Sequence, residues 1–305
     1  ILWEVKMQDV GFVGLGMMGV HMARHIANAG FRLHVFDANS DAAERLSAAG
    51  ATIHSSPRSV SDAAEAVLVC LPTPEIVEQV ALGTDGLIHG KRVRFYADHS
   101  TTGPTVARKV AEELANAGIK SLDAPLAGGS RGAEAGTLSV MVSGDGEAFT
   151  SLLPVFQSFG RNVKLVGKKA GQGQALKLVN NMIVGANLVV AAEAVLLGVK
   201  FGLEAETVLQ MLNASTARSF VTEDLIEKRI LDRNFDFGFR LELMCKDLRL
   251  CLAEAEAAGV PMPVSALARS FYDIANENGM TGRDMTVVVD ELERAAGVTI
   301  ARRTS

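Results

Sequence analysis

Through the first half of the chain, short apolar runs rich in β-branched residues alternate with longer stretches whose apolar positions recur every three to four residues. The runs Val10–Val13, Leu33–Phe36, Ala66–Leu71, Arg94–Asp98, Ser121–Asp123, Ser139–Val142 and Val163–Leu165 predict strands. Helices are predicted between them at Met17–Ala29, Asp41–Ala49, Pro74–Ala81, Pro104–Ala117 and Glu147–Phe159. This strand–helix–strand rhythm builds a sheet covered on both faces, so an α/β fold with a doubly wound, mainly parallel sheet is expected. From Gln172 the strand signals stop. Helical periodicity then runs over Gln174–Phe201, Glu204–Ala214, Phe220–Leu231, Leu241–Ala258, Val264–Asn278 and Met285–Ala296, with Gly202, Pro261, Pro263, Gly279 and Gly282 as punctuation. The change of period falls at Gly167–Gly173, dividing an α/β domain over 7–168 from an all-helical domain over 169–305.

Composition narrows the function classes. The 305 residues suit two domains, and 48% hydrophobic with 21% charged residues is globular. A net charge of −5 and no Lys/Arg run longer than two residues leave no basic stripe for nucleic acid. Cys70, Cys245 and Cys251 are an odd number in apolar surroundings and form no ligand spacing with the six histidines. They read as reduced thiols of a cytoplasmic protein, and no metal site is expected. Ile1–Gln8 has no apolar core of signal-peptide length; Met7 reads as the natural start, and Ile1–Lys6 as a leader or cloning remnant. Met182–Val199 is long and apolar, but Asn187 and Glu193 interrupt it, which suits a buried helix better than a membrane span.

The sequence Gly14-Leu15-Gly16-Met17-Met18-Gly19 follows the first strand and opens the first helix, the context in which G-x-G-x-x-G binds a dinucleotide. Gly14 permits the tight turn, Gly16 lets backbone approach a pyrophosphate, and Gly19 lets helix and strand pack closely. The helix N-terminus then points its N–H groups at the phosphates. Asp37 ends the second strand, 18 residues after Gly19. A carboxylate there accepts from the adenosine ribose 2′-OH and repels a 2′-phosphate. Neither Ala38 nor Asn39 offers a cation instead, so NAD is favoured over NADP. The whole pattern is that of a Rossmann-type domain. Cys70–Pro74, with Leu71 and Pro72, and Asp98–Pro104, with Thr101, end later strands. Each is either a ligand loop or a plain strand-to-helix turn.

The helix from Gln174 is apolar almost all round, yet carries Lys177 and Asn181 four residues apart on one face. An unpaired buried ammonium is costly. Lys177 therefore either snorkels out near the helix start or lines a cavity where a substrate accepts its protons. Asp123–Gly129 ends a short strand; Leu126–Gly129 is either an anion-binding loop of exposed N–H groups or a flexible turn.

Gly11–Gly19 with Met22-Ala23, Asp98–Thr101, Asp123–Gly129, Gly171–Gly173 through Lys177 to Asn181, and Lys246–Leu248 occur in one order. Together they resemble the β-hydroxyacid dehydrogenases, typified by 3-hydroxyisobutyrate, tartronate semialdehyde and 2-(hydroxymethyl)glutarate dehydrogenases. The resemblance spans Val10 to Gly297. It implies a Rossmann-type domain followed by an all-α domain, and hydride transfer between NAD(H) and a small β-hydroxyacid or its semialdehyde. By the same resemblance Lys177 is the general acid and base, Asn181 hydrogen-bonds the substrate beside it, and Gly128 and Gly129 hold the substrate carboxylate. Gly14, Leu15, Gly16, Met17, Met18, Asp37, Leu71, Pro72, Thr101 and Lys246 fall at cofactor positions, with Asp247 beside Lys246.

Two departures stand out. Ala127 replaces the usual serine of the substrate loop, removing one side-chain hydrogen bond to substrate, and His25 stands where asparagine is common, a change expected to affect packing. Lysine's ordinary pKa of about 10.4 makes it a donor at neutral pH, and action as a base requires burial to lower it. Arg218, between two C-terminal helices, is either a surface charge or a bidentate partner for a second carboxylate. Phe235, Phe237 and Phe239 read mainly as core. Two other classes share the architecture, imine reductases and non-catalytic nucleotide-binding scaffolds, and Lys177 counts against both. The Ala-rich C-terminal helices exceed what one small domain hides, so a homodimer or homotetramer joined through the helical halves is expected.

Overall fold

The computed structural model describes residues 7–302, so the reading of Ile1–Lys6 as a leader falls outside the described residues. The chain folds into two compact units, 1–177 and 178–305.

The first unit is built on a nine-stranded sheet. Its strands are β1 (Asp9–Val13), β2 (Arg32–Phe36), β3 (Thr52–Ile53), β4 (Ala66–Val69), β5 (Phe95–Asp98), β6 (Lys120–Asp123), β7 (Leu126–Ala127), β8 (Leu138–Gly144) and β9 (Gly160–Gly167). They lie in the order β3-β2-β1-β4-β5-β6-β8-β7, with β9 on β8. All pairs from β3 through β6 are parallel, whereas β8 runs antiparallel to β6. Every residue of β1 and β4 is buried, as a central strand covered on both faces requires. The helices are α1 (Gly19–Asn28), α2 (Ser40–Glu44), α3 (Pro57–Ala63), α4 (Pro74–Leu82), α5 (Pro104–Asn116), α6 (Gly129–Ala135) and α7 (Gly146–Phe159). They enclose two apolar cores, one around Phe12, Ile26, Phe156 and Phe159 and the other around Val60, Tyr96 and Leu114. The order of strands reverses at β1, so the loops after β1 and β4 face the switch point where doubly wound sheets bind ligands.

Helix α8 (Gln172–Lys200) leads into the second unit, which continues with α9 (Ala205–Asn213), a π-wound segment over Val221–Ile230, α10 (Leu241–Ala257), α11 (Pro263–Ala275) and α12 (Val288–Ala296). Its core gathers Leu188, Val195, Leu209, Leu225, Ile226, Leu248 and Tyr272, with Phe235, Phe237 and Phe239 packed against it as partly buried residues.

Three expectations need correction. The short β3 and the helix α3 went unpredicted, although Ser56 and Ser59 form a capping box ahead of Pro57. The expected loop Leu126–Gly129 is instead half strand and half helix start: Leu126 and Ala127 pair with Val140 and Ser139, and Gly129 opens α6. Helix α8 is not buried all round. Leu178, Met182, Leu188, Val189 and Leu196 face the core, but Leu176, Val179, Ile183, Val190 and Leu197 are exposed. The helix is long and apolar enough to cross a membrane: its most apolar window has mean hydropathy 2.1, and 39% of that window is buried. Core packing uses only one side of a helix, and the apolar residues on the other side have no cover among the described residues.

Candidate active site

The fingerprint loop is shaped by steric necessity. Gly14 takes φ 93°, in the left-handed region, and a Cβ there would strike the Cys70 carbonyl oxygen. A Cβ on Gly19 would strike the Gly14 carbonyl oxygen, so α1 can begin this close to β1 only with glycine at that position. Gly16 differs, with nothing within 4 Å of the place its Cβ would occupy. That open space lies at the entrance to α1, beside exposed Met17 and half-buried Met18, and fits a pyrophosphate. Asp37 is fixed toward the same loop: Leu15 N–H donates to its Oδ2 at 2.6 Å and Asn39 N–H to its Oδ1 at 2.8 Å. The residues present therefore suit a dinucleotide.

The loops after β4 and β5 are tied to each other. Leu71 N–H donates to Ser100 Oγ at 2.8 Å, Ser100 N–H donates to Asp98 Oδ1 at 2.8 Å, and half-buried Thr101 follows. Pro72 stands exposed in the first loop. His99 is buried between the edges of Phe156 and Phe159, with Nδ1 2.7 Å from the Ala124 carbonyl oxygen. Burial holds its pKa down at about 4, so the ring is neutral and Nδ1–H is the donor.

Beyond β6, Ala127 is half-buried and Gly128 exposed at φ 126°. Gly128 and Gly129 thus stand at the first turn of α6, with N–H groups that no helical carbonyl can take. His25 Nε2 lies 3.0 Å from the Glu134 carbonyl oxygen, joining α1 to α6, the packing role expected of it.

A buried polar network that sequence reasoning missed lies at the start of α8. Asp123 receives Gly171 N–H on Oδ1, and Gln174 N–H and Ser143 Oγ–H on Oδ2, at 2.8–2.9 Å. Burial raises its carboxyl pKa against the lowering effect of these three donors. Ser143 Oγ in turn accepts from Gly173 N–H. Gln174, wholly buried, donates Nε2–H to the Ser100 carbonyl and accepts Thr102 and Gly103 N–H on Oε1. The glycines beside it allow this approach: a Cβ on Gly171 would come within 2.9 Å of the Pro104 carbonyl oxygen, and one on Gly173 would strike that of Met141. The sequence signal was a glutamine near the start of a largely apolar helix. Lys177 follows one turn later and is half-buried.

Within the second unit, buried Asn181 donates Nδ2–H to Asp247 Oδ2, and Lys246 Nζ lies 3.2 Å from Asp247 Oδ1. Arg218 is exposed and paired with Glu223 at 2.8 Å.

Residues 9–167 match the family described as the NAD binding domain of 6-phosphogluconate dehydrogenase. Residues 171–292 match that described as NAD-binding of NADP-dependent 3-hydroxyisobutyrate dehydrogenase. The 2-(hydroxymethyl)glutarate dehydrogenase of Eubacterium barkeri is 35% identical over 97% of this chain and 98% of its own. The 3-hydroxyisobutyrate dehydrogenase of Pseudomonas aeruginosa is 38% identical over 88% of this chain and 92% of its own. Among solved structures, Mycobacterium tuberculosis 3-hydroxyisobutyrate dehydrogenase with L-serine superposes with TM-score 0.86 at 30% identity, covering 94% of this chain and 99% of that one.

Proposed function

The chain belongs to the β-hydroxyacid dehydrogenase family, and from that premise we propose that Lys177 manages the proton while NAD(H) exchanges a hydride with a small β-hydroxyacid or its semialdehyde. The chain has nicotinamide-dinucleotide-binding domains and is an oxidoreductase of small hydroxy acids. When bound, the nicotinamide supplies or takes the hydride. Everything else falls to the protein. Half-buried Lys177 donates a proton to the carbonyl oxygen during reduction and withdraws it from the alcohol during oxidation. Asn181, one turn on, hydrogen-bonds the substrate beside the reacting carbon. The N–H groups of Gly128 and Gly129 hold the carboxylate at the start of α6. Ala127 adds no hydroxyl there, which favours a substrate less polar at that end.

The observation that carries this reading is the anchoring of Lys177. The first turn of α8 is hydrogen-bonded to Ser100, Thr102, Gly103 and Asp123, all at the carboxyl ends of β5 and β6, the edge of the sheet that also bears the fingerprint loop. A lysine placed there serves chemistry rather than solvation. The fixed carboxylate of Asp37 supports NAD over NADP, because it can accept from a ribose 2′-OH and would repel a phosphate. Leu71, Pro72, Thr101 and Lys246 are the further residues to which the family resemblance gives cofactor contacts. Arg218, held by Glu223 only in an exposed ion pair, remains the cation that a second substrate carboxylate would engage.

The division of labour follows the sequence pattern: residues 7–168 hold the dinucleotide, and 169–305 supply substrate contacts and oligomerisation. Leu176, Val179, Ile183, Val190 and Leu197 on α8 and Val264, Leu267 and Ile274 on α11 are exposed and apolar. A second copy of the chain covering them makes a cytoplasmic homodimer or homotetramer. NADH and NADPH oxidation against a panel of small semialdehydes tests the assignment. Turnover with NADH is expected, lost in Lys177→Ala while NADH binding persists. Turnover by Lys177→Ala at the wild-type rate would refute the role of the lysine.

A further inference from the structure

Gln174 engages both the oxygen and the nitrogen of its amide with one short segment of backbone. Oε1 accepts from Thr102 N–H at 3.0 Å and Gly103 N–H at 3.2 Å, and Nε2–H donates to the Ser100 carbonyl at 2.8 Å. Residues 101–103 have no helix or strand of their own to satisfy these groups. An apolar residue in place of Gln174 would leave two donors and one acceptor buried without partners.

The same residue is bound through its backbone as well. Gln174 N–H donates to Asp123 Oδ2 at 2.9 Å, so side chain and main chain fix the first turn of α8 to β5 and β6 at once. Ser100 carries the connection onward, since its Oγ accepts from Leu71 N–H after β4. Leu71, Ser100, Gln174 and, one helical turn later, Lys177 thus form a continuous link.

We infer that Gln174 is a positioning residue for the reaction: its amide locks the Ser100–Gly103 loop to the first turn of α8 and so sets the register of Lys177 against the loops that end β4 and β5. The inference rests on the reading of Lys177 as proton donor. Transfer geometry tolerates little error; a displacement of about 1 Å can cost about 100-fold in rate. A residue that held only the fold would lose stability on substitution and leave the kinetic parameters of the surviving protein intact.

The experiment compares Gln174→Met, similar in length without the hydrogen bonds, with Gln174→Glu. For Gln174→Met, kcat is expected to fall about 10- to 100-fold while KM and NADH affinity stay within about threefold of wild type. For Gln174→Glu, the ionised carboxylate faces the Ser100 carbonyl, with Asp98 and Asp123 adding negative charge nearby and His99 neutral. Only the protonated form restores the donor to Ser100, so its kcat relative to wild type is expected to rise as pH falls from about 8 to about 6. Either variant turning over within about twofold of wild type at every pH would overturn the inference, as would a Gln174→Met loss that falls equally on NADH affinity. Should Gln174→Met fail to fold, the pH response of Gln174→Glu decides: recovery toward acid supports the inference, and a pH-independent deficit overturns it. Lys177→Ala separates the two readings. Full turnover by that variant sinks the reading and the inference together, whereas an inactive Lys177→Ala beside normal Gln174 variants sinks the inference alone.

Discussion

Asn181 donates its Nδ2–H to Asp247 Oδ2 at 2.6 Å, which decides the way its amide faces. Asn181 Oδ1 takes Asn180 Nδ2–H at 3.0 Å, and Lys246 compensates the charge of Asp247 from 3.2 Å. The side chains of Lys246 and Asp247 are 11% and 2% exposed, so little solvent screens the pair. Removing the carboxylate takes a close counter-charge from the nearly buried Lys246 ammonium and the acceptor from the Asn181 amide, which is then free to rotate. Asp247→Ala is therefore expected to lose about 3 kcal/mol of stability by denaturant titration. Its kcat should fall more than its NADH affinity. A variant as stable and active as wild type would show that the triad is incidental.

Gly16 and Gly19 lie three residues apart and should fail in different ways. A Cβ on Gly19 meets the Gly14 carbonyl oxygen, which cannot move without shifting β1 or α1. Gly19→Ala should therefore be unstable even without ligand. A Cβ on Gly16 meets open space, the space that the proposed function gives to a pyrophosphate. Gly16→Ala is expected to melt like wild type and bind NADH at least about tenfold more weakly, a loss of about 1.4 kcal/mol. Equal NADH affinity in Gly16→Ala would place the phosphates elsewhere.

The contrast between these two glycines shows what a sequence can carry. The steric reason for Gly19 was legible because the fingerprint sits between a strand and a helix. The strands β1, β4 and β5 and the helices α5, α7 and α10 were legible for a similar reason, since burial on one or both faces imposes a period. The segment Gly129–Ala135 was not, because Gly-Ser-Arg-Gly-Ala-Glu-Ala has no apolar period and reads as loop. The partners of Gln174 were beyond reach for another reason. They lie 51 to 74 residues away in the chain, and buried polar pairing leaves no periodic trace. Lys177 and Asn181 stood out because they are polar on an apolar helix. Their setting, the anchored first turn before one and the Asp247 carboxylate beside the other, needed coordinates.

Asp37 tests cofactor choice. Its carboxylate is held by two backbone N–H groups, so it can neither swing away from a 2′-phosphate nor be replaced by a neighbour. Asp37→Ser combined with Asn39→Arg removes the repulsion and adds a cation. The expected result is a preference for NADPH over NADH shifted by at least about 100-fold in kcat/KM, or about 2.7 kcal/mol. A wild-type enzyme already preferring NADPH would overturn the role given to Asp37.

His99 makes stability depend on pH with a definite sign. Its ring is buried between Phe156 and Phe159, donates Nδ1–H to the Ala124 carbonyl and has no partner for Nε2, so protonation would bury an uncompensated charge. The pKa is accordingly held down from 6.5 to about 4. Between these values the unfolded chain binds a proton that the folded chain refuses. Stability due to His99 is thus fully present above about pH 6.5, falls as pH drops through that window and levels off below pH 4; the whole effect is about 3 kcal/mol. In His99→Gln, whose amide can still donate to Ala124, that slope should vanish. Comparing variant with wild type cancels the opposing contribution of Asp123 and Glu293, whose pKa values burial raises. Denaturant midpoints between about pH 4.5 and 7.5 check the sign: a wild-type-minus-variant difference that grows with pH agrees with a buried neutral imidazole, and one that shrinks with pH means the ring is charged in the folded protein.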